Sequence, residues 1–104
     1  MMNRILSLLG LCMKAGFLSS GEVGVESAIK SGKAKILIIS EDASNNTKKK
    51  FSNSSNYYGI KLITFSTKQE LGRTIGKVER SILAVCNDGF AKKILEILEN
   101  SDME

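Results

Sequence analysis

The sequence predicts an α/β fold: a three-layer α/β/α sandwich with a mixed central sheet of about four strands. Three observations predict it. Ile36-Leu37-Ile38-Ile39 is an unbroken aliphatic run, the pattern of a strand buried on both faces. Ser81 to Cys86 has the same character near the other end of the chain. Around these runs, apolar residues recur at helical spacing, so the element order reads αβαβαβαβα. Strands separated by helices place helices on both faces of one sheet. At 104 residues the chain is one domain, able to bury roughly two-thirds of its unfolded surface. We expect residues 1–100 to form that domain and residues 101–104 to fray.

Each element has a local reason. Ile5, Leu8, Leu9, Cys12 and Met13 share one helix face, and Gly16 is a suitable stop. Phe17-Leu18 is a short strand candidate. Ser19 and Glu22 have capping-box spacing for a second helix, with Val25, Ala28 and Ile29 as its apolar stripe and Gly32 as its end. After Ile36–Ile39, Asp42 or Ser44 can cap a third helix. Thr47, Phe51 and Tyr58 mark its inner side, and Lys48-Lys49-Lys50 faces mostly outward. Its Asn- and Ser-rich composition makes it a poor helix former. Ile60 to Phe65 is the next strand. Thr67 and Glu70 form another capping-box pair, for a short helix ending near Gly72. The strand Ser81 to Cys86 follows, and Asp88 caps a last helix that turns Phe90, Ala91, Ile94, Ile97 and Leu98 inward.

Composition narrows the function. The net charge is +4, unevenly spread. Residues 1–80 hold 13 basic and 6 acidic residues, whereas residues 81–104 hold 2 and 5. A basic body favours a polyanion on one face. There is no histidine, hence no ordinary Ser-His or Cys-His nucleophile. Two cysteines, Cys12 and Cys86, read as buried free thiols. That usage fits a reducing, cytoplasmic setting, and no run approaches the length of a membrane span. Glu41-Asp42 has the composition of a weak Mg²⁺ site, but a carboxylate pair at a helix start more often caps that helix. Gly21-x-x-Gly24 lacks both the dinucleotide fingerprint and the Walker lysine. No enzyme activity, cofactor or metal is expected.

The segment Leu71 to Arg80 points instead to binding. Gly72 and Gly76 lead into a loop carrying Lys77, Val78, Glu79 and Arg80 just before a core strand. Such a loop suits a rigid contact with a macromolecule. Ser20, Gly21, Glu22, Val23 and Gly24 form a helix start whose free N–H groups suit an anion such as an RNA phosphate. Lys30, Lys33 and Lys35 lie around the second strand's entrance. Tyr57 and Tyr58 have rings that can stack on bases, although their place at a helix end favours packing.

Gly21 and Gly32 bracketing the second helix, the run Lys33 to Ser44, and Leu71-Gly72-Arg73-Thr74-Ile75-Gly76 before the strand Ile82 to Cys86 together resemble the kink-turn-binding ribosomal-protein superfamily of archaea and eukaryotes. Asn45 to Lys50, Asn56-Tyr57-Tyr58 and Asn87 to Lys93 resemble its bacterial YlxQ-type branch. The resemblance covers nearly the whole chain. It implies an α/β/α sandwich that binds structured RNA, ribosomal RNA among the candidates, in the ribosome or another ribonucleoprotein; a monomer is expected because nothing in the apolar pattern demands a dimer. In the family, the start of the second helix and the loop before the last strand grip a sharply bent duplex with tandem G·A pairs.

Transferred residue by residue, the resemblance puts the guanine-reading Asn-Glu pair on Val23 and Gly24, and the following lysine on Ser27. Lys68 matches a lysine that lines the pocket of a flipped-out nucleotide. Its acidic companion falls on Ser44, with Asp42 beside it. Gly76 matches, while Lys77 replaces a commonly apolar residue and Arg80 a common proline. The expected RNA-binding set is therefore Ser20, Gly21, Glu22, Val23, Gly24, Lys30, Lys33, Lys68, Gly76, Lys77, Val78, Glu79 and Arg80. Phosphate contacts position and base contacts specify, so the expectation is RNA binding with relaxed sequence reading. The alternative is a ribosome-associated protein-interaction module that uses the same loop.

Overall fold

The structure is a computed structural model that describes the backbone of residues 2–103 and the side chains of residues 4–100. Its elements are α1 (Met2–Lys14), β1 (Leu18–Ser20), α2 (Gly21–Lys30), β2 (Ile36–Ile39), α3 (Asn45–Tyr58), β3 (Lys61–Thr64), α4 (Lys68–Thr74), β4 (Ile82–Val85) and α5 (Asp88–Met103). That is the order the sequence predicts. The expected fraying of residues 101–104 lies outside the residues whose side chains are described.

The four strands form one sheet in the order β1-β4-β2-β3. β4 runs antiparallel to both β1 and β2, while β2 and β3 are parallel, so the sheet is mixed. The two apolar strands β2 and β4 are its centre, and every residue in them is buried. β1 has three residues and β3 begins with the exposed Lys61, which suits short or charged edges.

Alternation along β2 and β4 sorts the core into two layers. Ile36, Ile38, Leu83 and Val85 pack against α1, α4 and α5 through Leu9, Leu71 and Ile94 among others. Leu37, Ile39, Ile82 and Ala84 pack against α2 and α3 through Val25, Ile29 and Phe51. The expected sandwich is therefore present, with three helices on one face and two on the other.

Several local expectations are corrected. Ser19 does not cap α2, because it pairs with Ala84 inside β1. Ser20 takes the cap position without a side-chain cap bond, and Glu22 turns toward α3 instead of closing a box. Ser44 is the cap of α3, accepting from the Thr47 N–H at 3.1 Å. Asp42 serves another helix, its carboxylate accepting from the Lys68 N–H at 2.9 Å. That bond holds its carboxyl below the ordinary range. Thr67 does cap α4, at 3.2 Å to the Glu70 N–H. The Glu70 carboxylate, however, accepts from the Ser66 hydroxyl, and α4 continues to Thr74. Asn87, not Asp88, caps α5, accepting from the Phe90 N–H at 3.0 Å. Tyr58 is 44% exposed, not an inner residue.

The cysteines are free. Cys12 is fully buried, and that burial, with Cys86 nearby, pushes its thiol up to about 11. Such a thiol stays protonated and inert at neutral pH. Cys86 is only partly buried and packs on the opposite layer.

Candidate nucleic-acid interface

The pairing register fixes which loops meet. Ser20, Ile39 and Thr64 end β1, β2 and β3 at one edge of the sheet, where β4 begins at Ile82. The start of α2 and the segment before β4 are therefore neighbours, although more than 50 residues separate them in sequence. Ser20, Gly21, Glu22, Val23, Gly24, Glu79, Arg80, Ser81 and Ile82 line one groove of about 360 Å³.

One wall is the first turn of α2. Gly21 sits at φ +81°, a conformation that favours glycine. Val23 is 85% exposed on this turn. The α2 start is fastened to α3 by a chain of hydrogen bonds. The Ser44 hydroxyl donates to Thr47 Oγ1 at 2.9 Å, and the Thr47 hydroxyl donates to Glu22 Oε2 at 2.8 Å. Lys50 Nζ lies 3.2 Å from Glu22 Oε1 and also pairs with Glu26. The Thr47 hydrogen bond first, then Lys50, holds the Glu22 carboxyl below its ordinary value of 4.5. Because folding favours its ionised form, its contribution is present above that value and fades as pH falls through the lower native one. The pair is exposed, so Glu22→Gln should cost no more than about 1 kcal/mol at pH 7. Urea melts should show wild type and variant converging as pH falls through the lowered native range of the Glu22 carboxyl.

The other wall is the loop Gly76 to Arg80, held rigidly on α4. Gly76 closes that helix at φ +74°, its N–H bonded to the Arg73 carbonyl at 3.1 Å. The Lys77 N–H donates to the Gly72 carbonyl at 2.8 Å, and the Arg80 N–H to the Lys68 carbonyl at 3.0 Å. The Val78 carbonyl lies so close to Gly72 that a Cβ there would come within 2.1 Å of its oxygen. The Arg80 guanidinium donates back to the Glu79 carbonyl at 2.9 Å and the Val78 carbonyl at 3.3 Å. Its side chain thus braces the loop as well as carrying charge. Val78 is 78% exposed at the loop's tip.

Of the expected set, the structure brings Ser20 to Gly24, Glu79 and Arg80 together in the groove. Gly76, Lys77 and Val78 stand on the same loop, and Lys68 begins the helix beneath it. Lys30 and Lys33 do not line that groove, although Lys30 shares a shallow depression with Val23 two turns along α2. Lys30 ends α2, about 15 Å along a ten-residue helix from its start, and Lys33 follows at the opposite edge of the sheet. Sequence reasoning missed Ser44, Thr47 and Lys50 as fasteners of the α2 wall. Capping chemistry signalled Ser44, but nothing in the sequence aims Lys50 at Glu22 and Glu26. Among the described residues there is no cluster of three or more potential metal ligands, and no helix is long and apolar enough to cross a membrane.

A profile of the ribosomal protein L7Ae/L30e/S12e/Gadd45 family matches residues 3–95. The RNA-binding protein YlxQ of Bacillus subtilis (strain 168) is 40% identical over 92 residues, 88% of this chain and 92% of that protein. The protein of the same name from Enterococcus faecium is 38% identical over 97 residues, 93% of each chain. A solved structure from Bacillus halodurans C, of unknown function, superposes with a TM-score of 0.86 at 38% identity, over 91% of this chain and 96% of that one. The Giardia lamblia 15.5kD RNA binding protein, at 18% identity, shares the fold with a TM-score of 0.77 over 98% of this chain and 88% of its own. The chain therefore belongs to the ribosomal protein L7Ae/L30e/S12e/Gadd45 family, in the branch of the bacterial YlxQ proteins.

Proposed function

We propose that this protein binds structured RNA, a kink-turn or similarly bent motif, through the start of α2 and the Gly76 to Arg80 loop, and performs no chemistry. The observation that carries the reading is the groove between those two walls. A helix start without a side-chain cap lies across from a loop braced by backbone hydrogen bonds. The names of the YlxQ relatives support an RNA partner. Ordinary A-form RNA hides its base edges in a deep, narrow groove, and a kink exposes them. Helix N–H groups then meet phosphate or base acceptors, while Val23 and Val78 offer apolar contact to extruded nucleotides. With Val23 and Gly24 where a polar reading pair is expected, recognition rests on shape more than on base identity. On this reading the protein is a cytoplasmic monomer, with ribosomal RNA or another ribonucleoprotein as its setting.

Binding to a kink-turn RNA and to a matched straight duplex across a salt series tests the proposal. The kink-turn should bind more tightly, and Val23→Asp or Val78→Asp should weaken it at least tenfold. Replacing Lys77 and Arg80 together by glutamine should lower the salt slope by about two. No binding to either RNA at low salt would favour protein contact at the same loop, a reading that the two exposed valines also suit.

A further inference from the structure

Much of the uncompensated basic charge of residues 1–80 lies away from the groove. Glu22, Glu41, Asp42, Glu70 and Glu79, five of the six acids in that stretch, fall at the groove end, where they offset Lys48, Lys49, Lys50, Lys68, Lys77 and Arg80, with Lys50 paired to Glu22 and Glu26. The opposite end collects the lysines. α2 and α3 both run from the groove end to this one, since each links the far edge of one strand to the near edge of the next. Lys30 ends α2, Lys33 and Lys35 lead into β2, and Lys61 opens β3 directly beside Ile36. All four are exposed, and among the described residues none forms an ion pair. The acids nearest this end are on α5, where Asp88, Glu96 and Glu99 line a depression with Lys35, while Lys30, Lys33 and Lys61 stand outside it.

An aromatic pair sits with them. Tyr57 and Tyr58 form the last turn of α3, which stops at Gly59 in a left-handed conformation. Tyr57 is 82% exposed. The Tyr57 and Tyr58 rings meet in a T-shaped pair at 4.9 Å and 76°, and most of the Tyr57 side chain stays open to solvent. Packing therefore does not account for Tyr57. Nor does helix-dipole stabilisation account for the charge, because it applies to Lys30 and not to Lys33, Lys35 or Lys61, which lie outside the helices.

We propose that this end is a second RNA surface that grips a single-stranded segment, with Lys30, Lys33, Lys35 and Lys61 on its phosphates and Tyr57 stacked on a base. Unpaired cations together with an exposed aromatic ring are the components of sequence-tolerant single-strand binding. The inference rests on the RNA-binding reading and extends it to the other end of the molecule. The protein would hold a bent duplex at one end and a flanking strand at the other, across a body no more than 31 Å long.

The test is fluorescence anisotropy with a short labelled oligouridine over a salt series, run beside the kink-turn duplex. Wild type should bind oligouridine, with affinity falling steeply as salt rises. Tyr57→Ala should weaken it about tenfold at unchanged slope, and Tyr57→Phe should restore it. Lys30→Gln, Lys33→Gln, Lys35→Gln and Lys61→Gln combined should flatten the slope by about three. Oligouridine affinity and slope unchanged by both sets of substitutions would overturn the proposal. Binding of the kink-turn without oligouridine would overturn it too, leaving the groove reading intact. Binding of neither RNA would overturn both.

Discussion

Replacing Gly72 by alanine should lower the melting temperature by roughly 15 °C, a loss of about 3 kcal/mol in a domain of this size. The sign is the informative part. Gly72 lies inside α4, where helix propensity alone would make alanine the more stable residue by about 1 kcal/mol. Against that stands the loop. A Cβ at Gly72 would sit 2.1 Å from the Val78 carbonyl oxygen and 2.7 Å from its carbon. Both are backbone atoms, so no side chain can swing aside. The loop would have to lift, breaking the Lys77–Gly72 and Arg80–Lys68 hydrogen bonds that hold it. The steric term therefore outweighs propensity, and kink-turn binding should fall with stability. Thermal melts followed by circular dichroism decide the matter. An alanine variant as stable as wild type, or more so, would mean that the loop is not seated on α4.

The same pair of residues shows what a sequence can disclose. Gly72 and Gly76 mark the turn and the loop, because glycine spacing ahead of an aliphatic strand is a local signal. That Gly72 is needed for a close approach, and Gly76 for its positive φ, requires the folded backbone. Likewise β2 and β4 are legible because strands buried on both faces read as unbroken aliphatic runs. The capping residues are less so. Ser19 has the right spacing to Glu22, yet pairing with β4 draws it into the sheet and leaves the cap to Ser20. Asn87 and Asp88 are chemically equivalent candidates one position apart, and only the geometry chooses Asn87. The charge distribution is the clearest case. The excess of base in residues 1–80 is plain in the sequence, but the placing of Lys30, Lys33, Lys35 and Lys61 away from the groove depends on the strand directions. Lys30 and Lys33 belong with the groove when read along the chain and with Tyr57 when read in space.

Replacing Phe51 by alanine should cost about 3–5 kcal/mol, the range for truncating a buried aromatic. That is a large share of the 5–15 kcal/mol that holds such domains folded. α3 depends on this residue unusually heavily. Of its 14 residues only Thr47 and Phe51 are buried, and Phe51 is fully enclosed. The rest is mostly Asn, Ser and Lys, a composition that does not sustain a helix of this length alone. Docking through Phe51 is therefore what keeps α3 helical, together with its Ser44 and Gly59 ends. If that anchor is lost, Thr47 and Lys50 no longer meet Glu22, and the α2 wall of the groove loses its fastening. Phe51→Leu, which keeps most of the volume, should cost much less. Hydrogen exchange would separate local from global loss, with Phe51→Ala raising exchange across residues 45–58 ahead of β2 and β4. Uniform acceleration over all elements would show α3 unfolding together with the sheet. A loss below 1 kcal/mol would mean that α3 is held by something other than its one large buried side chain.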